Sequence, residues 1–319
     1  MSENWLHISP TSGHGSTQLM ISADTNNTGT ARKAKIIITA GTMTRTIDVV
    51  QEVDVVEGDI VAVYQQSYFG VKLFNTVDYV RWSKVVVSSE YGSITFTGDS
   101  MSATTEMTVY SFNGLVPNTL TAKIYYNENT DANLIDGLFN NINYVISISI
   151  LSKIQKINGL SNNSQRLEKV YLYSGVTEIP AYGFYDSPLY NCPRLEEFSG
   201  ESPLIEDSRS LVFNECLVAF APYNITEYSV PNTVTKTARN VFGFGNPTAS
   251  TYALTINRID IPESVTQMGL ENAFQNFYSL TSITIPNSVV SYSETRNTFD
   301  SCTSLTQVSL STAITTYDP

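Results

Sequence analysis

Histidine is nearly absent from this chain of 319 residues: only His7 and His14 occur, both within the first fifteen positions. The rest of the chain has no imidazole to serve as general base or metal ligand, the roles histidine most often fills near neutral pH. His7 and His14 themselves read as surface or strand-flanking residues. No H-E-x-x-H, calcium-loop or phosphate-loop spacing occurs, and no nucleophile-elbow pattern. Gly13-His14-Gly15 lacks a third glycine in register and a following helix, so it reads as a turn. Cysteine is scarce too. Cys192, Cys216 and Cys302 cannot all pair and form no C-x-x-C, which leaves no disulfide framework or zinc site to read.

Basic residues number 18 against 30 acidic ones, a formal charge of −12. Binding a nucleic-acid backbone needs clustered Lys and Arg, so nucleic acid is excluded as the expected partner, and anionic membrane surfaces are disfavoured. No apolar run reaches the length of a membrane span, and Met1-Ser-Glu-Asn-Trp5 shows no basic stretch followed by an apolar one. The expectation is no membrane insertion, in a product that either stays in the cytoplasm when made or has lost a signal. A hydrophobic fraction of 42% fits a folded chain, and the length predicts two or three domains.

What the chain does contain is a repeated apolar rhythm over its last 180 residues. An apolar residue is followed by another three later, another two after that, and a fourth four further on. The rhythm runs Val145–Ile148–Ile150–Ile154, Leu167–Val170–Leu172–Val176, a weaker Leu195–Phe198–Gly200–Leu204, and Ile225–Tyr228–Val230–Val234. It continues as Ile256–Ile259–Ile261–Val265, Leu280–Ile283–Ile285–Val289 and Leu305–Val308–Leu310–Ile314. Successive starts lie 22, 28, 30, 31, 24 and 25 residues apart. A period of this size predicts a solenoid whose units bury their apolar faces only against neighbours. Phe139, Phe274 and Phe299 each precede a start by six residues, and Cys192 and Cys302 by three, as buried fillers at an equivalent position. Ile-Pro or Val-Pro closes several strands, as at Ile179-Pro180, Val230-Pro231, Ile261-Pro262 and Ile285-Pro286.

The strand of each unit should span the second and third template positions, with flanking and intervening residues pointing away from the core. That places Ser147 and Ser149, Lys169 and Tyr171, Glu197 and Ser199, Glu227 and Ser229, Arg258 and Asp260, Ser282 and Thr284, and Gln307 and Ser309 side by side. This polar strip of mixed charge is the candidate recognition surface, with a merely solvated face as the alternative. The densest acidic run, Glu196, Glu197, Glu201, Glu206 and Asp207, reads as a solvated loop face. A glycosidase pair or a calcium loop would need convergence that its spacing does not impose. No catalytic residue, cofactor site or metal site is expected.

Residues 1–53 alternate in short strands around Leu19 and Ile21, Ile36 and Ile38, and Thr44 to Val49. Turn signals separate them at Pro10–Gly15, Asn26–Gly29 and Ala40–Thr42, a pattern that predicts a small sandwich. Residues 54–135 are β-rich, with strands around Val85–Val87, Ser93–Phe96, Met107–Tyr110 and Ala122–Tyr125. Breaks fall at Tyr91-Gly92, Gly98-Asp99 and Pro117-Asn118, and aromatic residues crowd at Tyr64, Tyr68, Phe69, Phe74 and Tyr79. A second sandwich or an irregular connector both fit. Residues 136–319 carry the repeats. The fold class expected is mainly β, with an N-terminal sandwich, a β-rich middle and a C-terminal solenoid.

Two stretches resemble known families. Trp5-Leu-His-Ile8-Ser-Pro10-Thr-Ser-Gly13, Leu19-Met-Ile21-Ser-Ala23, Asn26-Asn-Thr28-Gly29, Arg32-Lys-Ala34-Lys-Ile36 and Arg45-Thr-Ile47-Asp-Val49-Val-Gln51 resemble the BACON domain. The resemblance implies an immunoglobulin-like module found in Bacteroidetes and their phages, acting as a carbohydrate binder or an attachment piece. Trp5 would then stack on a sugar or pack in the core. Ala273-Phe-Gln-Asn-Phe-Tyr-Ser-Leu280-Thr-Ser-Ile283-Thr-Ile285-Pro and Thr298-Phe-Asp-Ser-Cys302-Thr-Ser-Leu305-Thr-Gln-Val308-Ser-Leu310 resemble the BspA-type leucine-rich repeat. That resemblance implies a leucine-rich-repeat solenoid and a place among bacterial surface adhesins, protist surface proteins or phage virion proteins. None of these implies catalysis.

Joined without a visible export signal, the two modules lead to the expectation of a non-enzymatic structural protein of a phage particle: a head fibre, head decoration or tail-associated component. The N-terminal module would be the anchor and the repeats the outward surface. Partners would be capsid or a sister fibre subunit, host-surface or mucosal glycans, and further copies of the chain, through the tyrosine-rich middle. The alternative is a secreted bacterial surface adhesin or glycan-binding protein.

Overall fold

A computed structural model describes residues 5–14, 18–24, 32–51, 58–65, 71–74, 82–97, 108–109, 111–112, 114–126, 134–179, 187–243, 255–293 and 295–315. The expected turns at Asn26–Gly29 and Gly98-Asp99, and the residues Gly15, Tyr68, Phe69, Tyr79, Met107, Tyr110 and Pro180, lie outside them. The described residues are mainly strands and contain no helix. The chain divides into two compact units, Met1–Glu57 and Gly58–Pro319.

In the first unit, β1 (Leu6–Ser9) pairs antiparallel with β2 (Met20–Ala23), and β3 (Arg32–Ala40) with β4 (Met43–Gln51). The register Ile36↔Ile47 sets alternate residues on one face, where Ala34 and Ile36 are buried. Met20, Ile37 and Met43 are 73%, 65% and 72% exposed, so this small unit leaves much of its apolar surface open. Trp5 is half-buried, and His7 is on the surface, its Nε2 2.8 Å from Asp24.

The second unit begins with β5 (Ile60–Gln65), β6 (Val71–Lys72), β7 (Trp82–Ser89), β8 (Gly92–Thr97), β9 (Thr108–Val109) and β10 (Thr119–Tyr126). It continues with β11 (Leu134–Asp136), β12 (Val145–Ile150), β13 (Lys156–Gly159), β14 (Lys169–Leu172), β15 (Glu197–Gly200), β16 (Ile205–Asp207) and β17 (Ser210–Phe213). The last strands are β18 (Cys216–Phe220), β19 (Glu227–Ser229), β20 (Lys236–Thr237), β21 (Arg258–Asp260), β22 (Gln267–Met268), β23 (Ser282–Thr284), β24 (Ser291–Tyr292) and β25 (Gln307–Ser309). One sheet has the order β15-β14-β12-β5-β10-β7-β8. Its β12, β14 and β15 are parallel, and β5 then pairs antiparallel with β12. The break expected near residue 135 is therefore absent from the sheet: β5 and β10 close off the first repeat instead of forming a separate sandwich. The physical reason is that β12 would otherwise be an open edge with Ile148 and Ile150 unsealed, whereas Ile60, Ala62, Leu120, Ala122 and Ile124 bury against them.

The closure is clamped by Asp59, which is 5% exposed. Its carboxylate accepts from the Tyr126 amide at 2.6 Å and the Ser152 hydroxyl at 2.5 Å, with Lys153 Nζ at 3.4 Å. Its carbonyl accepts from the Leu151 amide. One residue thus ties the start of β5 to the end of β10 and to the turn after β12.

In the first two units the template residues lie where the rhythm placed them, whereas Gly200 of the third and Val308 and Leu310 of the last are exposed. Val145, Ile148, Ile150, Ile154, Leu167, Val170, Leu172 and Val176 are all fully buried. Strand registers Ser147↔Lys169, Lys169↔Glu197, Glu227↔Arg258, Arg258↔Ser282 and Ser282↔Gln307 reproduce the spacings between template starts. The spacing of 30 between Leu195 and Ile225 yields no pairing of β15 with β19. There the meander β16-β17-β18 is inserted, and β18 opens a second parallel ladder, β18-β20-β22-β24.

Between strands, the turns are stitched by asparagines in the left-handed region, which Asn tolerates better than most residues. Asn141, Asn163 and Asn191 have φ of 60°, 59° and 56°. Asn163 Nδ2 donates to Asn141 Oδ1 at 3.1 Å, and Asn191 Nδ2 to Asn163 Oδ1 at 2.9 Å. A second ladder runs from Asn297 to Asn272 at 3.2 Å and from Asn272 to Asn240 at 3.4 Å. The two ladders do not join, and Asn191 Oδ1 is left buried without a partner at the same discontinuity that separates β15 from β19. Beneath the second ladder, Phe242, Phe274 and Phe299 stack with centroids 5.5 Å and 5.6 Å apart.

Two of the three cysteines serve this stitching. Cys192 Sγ donates to Ser161 O at 2.8 Å and Cys302 Sγ to Phe274 O at 2.9 Å, the same contact in two units. Burial pushes the Cys192 and Cys216 thiols up to about 12 and Cys302 to about 11. Since the thiolate is the reactive form, none should react with a thiolate-selective disulfide reagent at pH 8 in the native protein. Denaturation should release all three. Rapid titration of even one native thiol would contradict the packing.

Candidate recognition surface

The outward positions of β12, β14 and β15 form two rows. Ser147, Lys169 and Glu197 stand in one, and Ser149, Tyr171 and Ser199 in the other. In the second group of strands, Glu227, Arg258, Ser282 and Gln307 stand in one row; Ser229 pairs with Asp260, and Thr284 with Ser309. All are half-buried or exposed, while Val170, Phe198, Tyr228, Ile259 and Ile283 between them are buried. The strip predicted as one run is thus two, interrupted between Glu197–Ser199 and Glu227–Ser229, because the inserted meander keeps β15 and β19 apart.

Charge on these rows is locally matched. Lys169 Nζ lies 2.8 Å from Glu197, whose hydrogen bond and charge raise the lysine's pKa. Tyr171 donates its hydroxyl to Glu201 at 2.9 Å; burial first, then Glu201, lifts the phenol well above its usual range. Arg258 Nε lies 2.9 Å from Asp260 Oδ1 within its own strand, again raising the cation's pKa. Exposed pairs like these contribute little to stability. Their effect is to hold long side chains in fixed positions on a rigid sheet.

The acidic run does not converge. Glu197 faces Lys169, Glu201 faces Tyr171, Glu206 accepts from Thr233 at 2.9 Å, and Asp207 caps the Arg209 amide at 2.7 Å. Among the described residues, no group of three His, Cys, Asp or Glu side chains is placed to hold a metal ion.

The first pair of rows also extends beyond the repeats. Ser149 is in register with Val61, Val61 with Lys123, Lys123 with Val86, and Val86 with Thr95. Ser147 similarly continues to Val63, Thr121, Ser88 and Ser93. Beside them, Lys84 Nζ sits 4.1 Å over the Tyr125 ring. Only the alternation inside Thr119–Tyr126 and Trp82–Ser89 signalled these residues, and nothing in the chain's linear order joined them to the repeats.

Comparison with known families matches this architecture. The model for the BspA type Leucine rich repeat region matches in 6 copies over 93–191, 134–246 and 218–319, more than half of the chain. The chain belongs to the BspA-type leucine-rich-repeat family. The match begins well before Val145, in keeping with the strands of the middle region sharing the repeats' sheet. Residues 2–52 match the BACON model, described as "Putative binding domain, N-terminal". A crystal structure of a leucine-rich repeat protein from Eubacterium ventriosum is similar at 20% identity and a TM-score of 0.36. The match covers 51% of this chain and 41% of that one, so the chain spans less than half of that protein's length. No curated protein matches. A BACON module joined to BspA-type repeats suggests a bacterial surface or binding protein, and both are in general non-catalytic repeat or binding modules.

Proposed function

We propose that this BspA-type protein is a non-enzymatic binding protein of a bacterial cell surface, which holds an extended ligand across the outward rows of its repeats. The observation that carries this reading is the pairing of a buried apolar core with outward side chains set in register, Ser149–Tyr171–Ser199 and Glu227–Arg258–Ser282–Gln307 among them. A rigid sheet presenting one polar side chain per strand suits a ligand with repeating groups, such as a host-surface or mucosal glycan, because little ordering entropy is lost on binding. The open apolar face of the first unit supports its role as attachment module. The surface reading is preferred to the phage-particle one because both matched modules are typical of bacterial surface proteins, and no observation favours capsid partners.

Binding of the labelled chain to immobilised glycans tests the site. Tyr171→Ala and Arg258→Ala should each weaken binding by about tenfold, the size of one well-placed polar or aromatic contact, without moving the thermal midpoint. Unchanged binding in both variants would reject the rows as the site. Envelope fractionation of source cells tests the location; recovery only in purified phage particles would reverse it.

A further inference from the structure

Lys123 differs from the other cations on the outward rows. Lys169 and Arg258 each meet a carboxylate, of Glu197 and of Asp260. Lys123 meets none among the described residues. It is half-buried on β10, with Val61 of β5 on one side and Val86 of β7 on the other. Lys84 stands diagonally beside it on β7, its Nζ 4.1 Å over the Tyr125 ring, and it too has no carboxylate partner among the described residues. Asp59, two residues before Val61, is already met by Lys153 and two hydrogen bonds. In a chain with 30 acidic and 18 basic residues, two neighbouring lysines without acids are a local reversal of sign. Diagonal cross-strand neighbours lie about 7 Å apart, so the two charges repel, and an anion between them would remove that cost.

We infer that Lys123 and Lys84 form an anion subsite outside the repeats, and that the ligand of the first pair of rows is an acidic glycan. The inference rests on the glycan-binding reading of those rows and adds the charge of the ligand to it. Lys123 shares a row with Tyr171: Tyr171, Ser149, Val61 and Lys123 are in register across β14, β12, β5 and β10. Three strand spacings set the ends of this track about 14 Å apart, and Ser149 and Val61 between them carry no charge. A sugar chain lying along the track meets an aromatic ring at one end and two unmatched ammonium groups at the other. Lysine imposes no planar two-point geometry, so the subsite selects charge, which carboxylated and sulfated sugars share.

Binding of the full chain to immobilised polygalacturonate, dextran sulfate and unmodified dextran tests this. At least one acidic polymer should bind about tenfold or more tightly than dextran. Lys123→Met combined with Lys84→Met keeps the apolar stems and removes both charges. It should cut the acidic advantage by about tenfold, with dextran binding and the melting curve unchanged. The acidic polymer that shows the larger loss identifies the anion. Lys33→Met combined with Lys35→Met changes the net charge equally in the first unit and should leave the advantage intact. An acidic preference that survives in the Lys123 and Lys84 variant overturns the inference, as does one lost only with Lys33 and Lys35. Equal binding of all three polymers, still weakened by Tyr171→Ala, overturns the inference and leaves the glycan reading standing. Binding to none of them overturns both.

Discussion

Ile283→Asp should destabilise the protein by about 4 kcal/mol, whereas Thr284→Asp, one residue along the same strand, should cost less than about 0.5 kcal/mol. Ile283 is 3% exposed, in register with Val308, and sits among Ile259, Leu280 and Ile285. A carboxylate there would be set among apolar side chains. It must either remain charged in an apolar core or take up a proton, and both raise the free energy of the folded state. Thr284 points outward from β23 and is exposed, so its replacement keeps its water. Because each unit rests only on its neighbours, the loss should spread along the array as an earlier, broader transition. Thermal melts of the two variants check this. Equal midpoints, or a lower one for Thr284→Asp, would shift the assigned register by one residue and turn the proposed outward rows inward.

Asp59→Ala should cost about 3 kcal/mol, since it removes the acceptor from a buried amide and a part-buried hydroxyl at once. The Tyr126 amide and the Ser152 hydroxyl would lose partners now at 2.6 Å and 2.5 Å. Lys153, at 43% side-chain exposure, would recover water and adds little to the loss. Asp59→Asn should fall between wild type and Asp59→Ala: the amide oxygen at the Oδ2 position still accepts from Tyr126 and faces Lys153, but the new NH2 at the Oδ1 position faces the Ser152 hydroxyl, which loses its acceptor there. Chemical denaturation resolves the order. The alanine variant should also speed hydrogen exchange across β5, β10 and β12 more than across β21, β23 and β25. Uniform loss of protection, or a stability equal to wild type, would show that Asp59 is not the clamp of this end.

Much of the repeat array was legible in the linear order of residues, and the reason is local. The interval between strands equals the interval between apolar templates, so wherever two units stack directly, counting residues yields the register, as in Ser147↔Lys169 or Ser282↔Gln307. The same counting failed at the interval of 30. Whether extra residues loop out or form a new strand pair depends on what Leu211, Leu217 and Phe220 find to bury against, and periodicity does not encode that. The asparagine ladder was visible in principle, since Asn141, Asn163 and Asn191 each stand four residues before a template start. Asparagine is common in turns for many reasons, and only the left-handed φ values distinguish this use.

The amino-acid sequence alone determined the strand class, the period of the repeats, the inward and outward alternation, and the absence of a histidine-based catalytic or metal site from the repeats. Each follows from near neighbours: side chains alternate every two residues along a strand, and units recur at a fixed length. Tertiary structure alone decided that β5 and β10 close the first repeat, that Asp59 fastens them, that the outward strip is two surfaces, and that one reaches Lys123 and Tyr125. These rest on contacts between residues far apart in the chain. Such contacts are chosen by which apolar faces and buried polar groups satisfy one another once the layers are assembled, a choice no local pattern contains.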